Sequence, residues 1–267
     1  MYAYIINLAR SRDRRAHMVA ELRKTGLDYE IVTAVDGRDL DLTDTTVVDP
    51  SLTVRTQFLG GTAGAALSHL SVYRKIIADG LDKALVLEDD VTLPADIASL
   101  ADAVADQLTG AEVALLSYDS NTTCKMSLEG SIKLPSARVL ALPLDIGQPN
   151  SGGGYIITRE ACERMNKIIL PVRVNPDDWW FFYREGALDR VRCVVPLTVR
   201  KSHKLPSTLG SYALGNSIKG RLIWPLVRRR IPILHQVLNY RRQRIYRQWS
   251  RSELVDMPFI EKPSRFE

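Results

Sequence analysis

Lys83-Ala-Leu-Val-Leu-Glu-Asp-Asp-Val91 is the stretch from which the fold of this chain can be read. Its apolar core, Ala84 to Leu87, has the length of a buried central strand and is bounded by polar residues. Glu88, Asp89 and Asp90 follow at the carboxyl end. Three adjacent carboxylates repel one another, and a hard divalent cation with oxygen ligands would offset that repulsion. In an extended segment Glu88 and Asp90 point one way and Asp89 the other. Open α/β sheets bind ligands beyond the carboxyl ends of their strands, so these acids stand where a ligand would sit. A solvated acidic loop that merely ends a strand is the competing reading.

Upstream, Tyr2 to Leu8 reads as a strand. Ser11 caps a helix running to about Thr25, with Gly26 as its stop. Tyr29 to Val35 is a second strand and ends in Asp36-Gly37. Strand, helix, strand at this spacing predicts a βαβ unit and a parallel sheet. Arg10, Arg12, Arg14 and Arg15 crowd the first strand–helix junction, which suits either an anionic phosphate or a solvated basic face. Residues 41–58 lack periodicity and read as a variable loop. Gly60-Gly61-Thr62-Ala63-Gly64 then leads into a helix that ends at Gly80 and carries Ser68 and His69 in its second turn. No Gly-Lys-Ser/Thr follows these glycines, so this is not a Walker motif.

Downstream, Pro94 opens a helix to about Leu108, and Glu112 to Ser117 is a short apolar strand. Two weaker strands lie near Ser131–Leu134 and Arg138–Leu142. Gly152-Gly153-Gly154 precedes a strand through Tyr155 and lets a backbone approach a ligand closely, or serves as a turn. Thr158 caps a helix from Arg159 to about Ile169. In Asn175-Pro-Asp-Asp-Trp-Trp-Phe-Phe-Tyr-Arg-Glu-Gly186, Asn175 is the expected cap and Pro176 the first helical residue. Asp177 and Asp178 would complement the helix dipole. Beside Trp179 and Trp180 they also suit a sugar, whose C–H faces pack on aromatic rings while its hydroxyls donate to carboxylates.

The 267 residues suffice for one large α/β domain or two small ones, and an apolar fraction of 45% argues against disorder. Cys124, Cys162 and Cys193 are widely spaced and form no CxxC, so neither a zinc site nor a disulfide framework is expected, which fits a reducing compartment. Neither a signal peptide nor a membrane-spanning run is expected. Charge is uneven: residues 216–267 hold 12 Lys/Arg and 4 Asp/Glu, while the other residues hold 24 against 27. Residues 219–251 carry ten of those cations and no acid, interleaved with apolar and aromatic residues. Such a segment suits an anionic membrane surface, nucleic acid as a weaker choice, or solvent alone.

Taken together, the chain resembles glycosyltransferase family 25, the lipopolysaccharide-type β-glycosyltransferases, to which collagen galactosyltransferase domains are related. The resemblance runs along residues 2–210. It is carried by Tyr4-Ile-Ile-Asn-Leu, Arg12-Asp-Arg-Arg, Ala34-Val-Asp-Gly37, Gly61 to His69, Leu87-Glu-Asp-Asp90, Gly154-Tyr-Ile-Ile-Thr158, Pro176-x-Asp178 and Pro206-Ser-Thr208. Ala65 departs from the family, which commonly has Cys there, and the basic tail lies outside the resemblance. The resemblance implies a GT-A fold, with a nucleotide-binding half over 1–125 and an acceptor half over 126–215; outside it, a basic, partly helical segment is expected over 216–267. It implies a UDP-sugar donor, most often UDP-galactose, inversion at the anomeric carbon, and a Mn2+ or Mg2+ ion.

Carried onto this sequence, the resemblance makes Asp90 the direct metal ligand, with Glu88 on the ribose or a metal-bound water and His203 a further ligand. It makes Asp178 the base, with Asp177 as fallback. Asn7, Arg10, Arg14, Asp36, Gly61, Gly64, Ser68, His69, Glu88, Asp89, Gly154 and Tyr155 are expected around the donor. The acceptor would be a glycan or glycolipid at the cytoplasmic face of a membrane. Two other classes use the same residues: a metal-dependent phosphohydrolase or nucleotidyltransferase, and a non-catalytic binder that docks through its tail.

Overall fold

The computed structural model describes residues 1–52, 56, 59–118, 124–202, 205 and 254–256. His203 and the basic segment 219–251 lie outside the described residues. The elements follow in the order β1 (Tyr2–Asn7), α1 (Arg12–Leu22), β2 (Asp28–Thr33), α2 (Leu59–Ala78), β3 (Lys83–Glu88), β4 (Val91–Thr92), α3 (Ile97–Ala105) and β5 (Glu112–Leu115). They continue with β6 (Lys125–Leu134), β7 (Arg138–Pro143), β8 (Gly154–Thr158), α4 (Arg159–Ile168), α5 (Trp179–Arg184), β9 (Arg190–Val195), β10 (Arg200–Lys201) and β11 (Leu254–Asp256).

Nine strands form one sheet in the order β11-β6-β7-β9-β5-β8-β3-β1-β2. β1 pairs in parallel with both β2 and β3, and β5 with β9. β8 runs antiparallel between β3 and β5, and β7 antiparallel to β9. Most strands therefore point one way, in the Rossmann-like layout that the resemblance implied. β10 pairs with β4 in a separate ribbon over the end of β3.

Strand alternation divides the core between the two faces of the sheet. Tyr4, Ile6, Val86, Tyr155 and Ile157 pack with α2, α4 and α5. Ala3, Ile5, Leu85, Leu87 and Ile156 pack with α1 and α3. Burial on both faces explains why the central strands are apolar throughout rather than alternating. Met18 and Leu22 of α1 and the Ile97–Val104 face of α3 supply the cover on the second side. The Thr158 cap is as expected: its side chain accepts a hydrogen bond from the Ala161 N–H at 3.3 Å.

Three expectations change. α2 begins at Leu59, so the glycines lie inside the helix rather than before it. A Cβ on Gly37 would collide with the Gly60 carbonyl, and one on Gly64 would sit 2.8 Å from the Gly37 nitrogen. The glycines thus let the segment after β2 press onto the first turns of α2. The aperiodic loop after β2 is ordered by turns in which Asp41, Asp44 and Asp49 accept from backbone N–H groups two residues on. Its Val48 and Leu52 join Ala63, Ala66 and Val172 in a third apolar cluster. Finally, α5 is capped by Asp178, not Asn175, because the Asp178 N–H closes a turn onto the Asn175 carbonyl before the helix starts. At the edge of the sheet, Leu254–Asp256 pairs antiparallel with Lys125–Ser127.

Candidate functional site

β3 ends at Glu88, and the alternation of side chains holds across only the first two acids. Asp89 turns toward α1, where the Arg14 guanidinium donates to its Oδ1 at 2.5 Å and the Asn7 amide to its Oδ2 at 2.7 Å. Asp90 already lies in the turn that leads to β4. There the other arm of Arg14 reaches Asp90 Oδ2 at 2.7 Å, so one guanidinium holds both aspartates. The Asp90 carbonyl accepts from the Ser202 N–H at 2.6 Å, which ties the turn to the β10 ribbon. Arg14 and Asp89 are both buried. Burial pushes the Asp89 and Asp90 carboxyls above their ordinary values, against the opposing charge of Arg14.

Glu88 faces the opposite side of the sheet. Its Oε1 is 3.6 Å from Nε2 of the buried His69 on α2. Burial raises the Glu88 carboxyl, but His69 and the charges of Lys201 and Arg14 outweigh it and hold the group low. The His69 ring is pinned from behind, where Nδ1 is 2.7 Å from the Tyr155 hydroxyl. That hydroxyl donates to Tyr73 at 3.1 Å. Trp179, buried at the start of α5, packs edge-on against Tyr155. Gly152 closes over the pair: a Cβ there would lie 2.9 Å from Glu88 Oε1 and 3.1 Å from the His69 ring.

Direct contacts thus gather Asn7, Arg14, Asp89 and Asp90 into one group and Glu88, His69 and Tyr155 into a second, the two meeting in the chain at Glu88-Asp89. Arg10 is not joined to them. Its Nε donates to Asp36 at 2.7 Å, and Arg38 binds the same carboxylate at 2.6 Å, beyond the carboxyl ends of β1 and β2. Hydrogen bonds from Arg38 and then Arg10 hold Asp36 well below the usual carboxylate range. Ser68 ties this rim to α2 by accepting from the Val35 N–H at 2.8 Å and donating to the Gly64 carbonyl at 2.6 Å. Gly154 pairs with Leu87 inside the sheet, where a Cβ would meet Val199 at 3.0 Å, so close packing requires it. Gly61 lies in the first turn of α2.

Asp178 directly precedes Trp179 in the chain and caps α5. Its Oδ1 accepts from the Phe181 N–H at 3.1 Å, and Oδ2 takes no part in that cap. The charge of Asp177 is felt at Tyr73, whose phenol is pushed up chiefly by burial. Of the two tryptophans, Trp179 is core, while Trp180 stacks on the exposed Tyr183 with ring centroids 6.2 Å apart.

Sequence reasoning missed Lys201, Gly152 and Tyr73. Lys201 is displayed by a two-residue strand that no periodicity reveals, and Tyr73 reads as one apolar position among several on α2. Gly152 was visible as part of a glycine run, but not its partner.

The donor set fits an open divalent-cation site. Three of the four carboxylate oxygens of Asp89 and Asp90 are taken by Arg14 and Asn7, whereas Asp90 Oδ1 is buried without a hydrogen-bond partner. Glu88, 30% exposed, is the neighbouring carboxylate. Among the described residues no three His, Cys, Asp or Glu side chains group so as to hold a metal ion by themselves. Mg2+-type sites commonly use one or two carboxylates and complete their shell with water and substrate phosphate.

Comparison with known proteins places this α/β body within one family. Residues 1–180 match the glycosyltransferase family 25 (LPS biosynthesis protein) profile, and the chain belongs to that family. It is 35% identical over 95 residues to human procollagen galactosyltransferase 2, a stretch covering 33% of this chain and 15% of that protein. It is equally 35% identical over 95 residues to the mouse inactive glycosyltransferase 25 family member 3, covering 33% and 16% respectively. The match thus spans about a sixth of those relatives' length, and it is the same for a galactosyltransferase and an inactive member. The apo form of mouse xyloside xylosyltransferase 1 superposes with a TM-score of 0.35 and 10% identity over 70% of each chain.

Proposed function

We propose that this protein is a metal-dependent inverting glycosyltransferase. It moves a sugar, galactose first among the candidates, from a UDP-sugar to a lipopolysaccharide, lipooligosaccharide or other glycan acceptor. The observation that carries this reading is the buried, unpartnered Asp90 Oδ1 beside Glu88 at the carboxyl end of β3, in a chain of family 25.

Asp90 and Glu88 would hold Mn2+ or Mg2+, which as a Lewis acid stabilises charge on the departing diphosphate. Asn7 and Arg14 fix the aspartates, and His69, locked by Tyr155, fixes Glu88. The donor lies over the carboxyl ends of β1, β2 and β3, against Arg10, Asp36 and the Gly61–His69 segment. Lys201 adds positive charge on the ribbon side, where both Glu88 and Asp90 feel it. Asp178 takes the proton from the acceptor hydroxyl at Oδ2, its Oδ1 remaining engaged by the cap. The acceptor sugar packs toward Trp180 and Tyr183. His203 is a further metal ligand in this reading, and the 219–251 segment holds the enzyme to an anionic membrane surface on the cytoplasmic side. Among the described residues no helix is long and apolar enough to cross a membrane.

A second reading, a family member that no longer turns over, is favoured by the equal identity to inactive relatives. The test is a screen of UDP-galactose, UDP-glucose and their N-acetyl forms for UDP release and transfer, with Mn2+, with Mg2+ and with chelator. Metal-dependent transfer from one donor is expected. Silence with every donor favours the inactive reading, and release of free phosphate alone favours a phosphohydrolase or nucleotidyltransferase.

A further inference from the structure

The acid cluster already contains a cation of its own. Arg14 forks between Asp89 Oδ1 and Asp90 Oδ2, and its side chain is only 7% exposed. It cannot swing to a phosphate without stripping two buried carboxylates of their counter-charge. What it leaves to a metal is one buried oxygen of Asp90 and the Glu88 carboxylate, with a fixed positive charge close behind. One Asp90 oxygen backed by an arginine, with the Glu88 carboxylate on the His69 side, is a poor site for a dication alone and a better one once a diphosphate adds its oxygens and negative charge.

We propose that Arg14 is a positioning residue that makes metal binding conditional on the nucleotide. It orients Asp90 and cancels part of the cluster's charge, so that the dication is held firmly only together with a nucleoside diphosphate. This rests on the metal-dependent reading above and goes beyond it by giving the order of assembly.

The test follows Mn2+ by electron paramagnetic resonance on the full chain, with and without UDP. In the unaltered protein UDP is expected to tighten Mn2+ binding by about tenfold or more. Arg14→Met removes the resident cation and frees two carboxylate oxygens. In this variant Mn2+ alone should bind about tenfold more tightly than in the unaltered protein, and the UDP effect should shrink. If the variant unfolds without metal, Mn2+ should restore its thermal transition where Na+ at equal ionic strength does not; failure of that rescue overturns the proposal. So does equal Mn2+ affinity with and without UDP, or an Arg14→Met variant that binds Mn2+ no better, even while metal-dependent transfer persists. Absence of Mn2+ binding under every condition removes the metal reading itself, and this inference with it.

Discussion

Two buried acid–arginine clusters occupy opposite ends of the same sheet, and they are built on opposite accounting. At the amino end of β5, Glu112 is met by Arg192 at 2.9 Å on one oxygen and by Arg190 at 3.2 Å on the other. One carboxylate faces two guanidinium groups and no acceptor is left over. At the carboxyl end of β3, two carboxylates share one guanidinium, a third, Glu88, faces His69, and Asp90 Oδ1 is left without a partner. The same chemical parts make a closed joint in one place and an open valence in the other. A fully satisfied buried pair serves the fold, whereas an unsatisfied one asks for something from outside.

The widest separation between the clusters should come from truncating each acid. Asp90→Ala is expected to lower transfer about a thousandfold or more, with the thermal transition kept, because the cluster sheds a surplus charge. Glu112→Ala is expected to cost about 3 kcal/mol of stability by stranding Arg192, while turnover per folded molecule stays unchanged. Denaturant titration and initial-rate assays on both variants check this. A stable Glu112→Ala, or an active Asp90→Ala, breaks the contrast.

Next in size is Asp178→Asn. Asparagine caps a helix as well as aspartate but takes up no proton, so stability and donor binding should hold while transfer falls about a hundredfold or more. Isothermal titration with UDP beside rate measurements decides it: lost donor binding would move Asp178 out of the role of base.

The smallest effect concerns the half-buried Asp36 on its two exposed arginines. Its carboxyl stays ionised in the folded protein below the pH at which the unfolded chain takes up the proton. Its contribution is thus full above about pH 4 and fades as the pH drops further. Asp36→Asn should flatten the acid limb of a stability–pH profile slightly, since exposed pairs contribute little. An unchanged limb would show that this rim does no folding work.

The central strands were legible because burial on both faces writes an apolar run into the sequence, as in Ala84–Leu87. The Thr158 cap was legible for a similarly local reason. What could not be read were relations between distant residues. Nothing near Arg14 says that it will span two aspartates more than seventy positions away. Nothing near Gly152 says that Glu88 and His69 fill the space a side chain would need. Asp178 carries its chemistry in plain view, yet only three-dimensional geometry shows one of its oxygens already spoken for by Phe181. The antiparallel insertion of β8 is likewise a matter of topology, since an apolar run has no direction.

The pairing of Leu254–Asp256 with Lys125–Ser127 bears on how the arginine-rich stretch can be dissected. Clipping the polypeptide after about residue 215 would remove the cations and also strip a neighbour from β6, leaving bare amides that invite aggregation. Lost liposome binding in such a deletion would then be ambiguous between missing charge and a damaged β-edge. Replacing the arginines of 219–251 by glutamines, with the terminal strand left in place, separates the two.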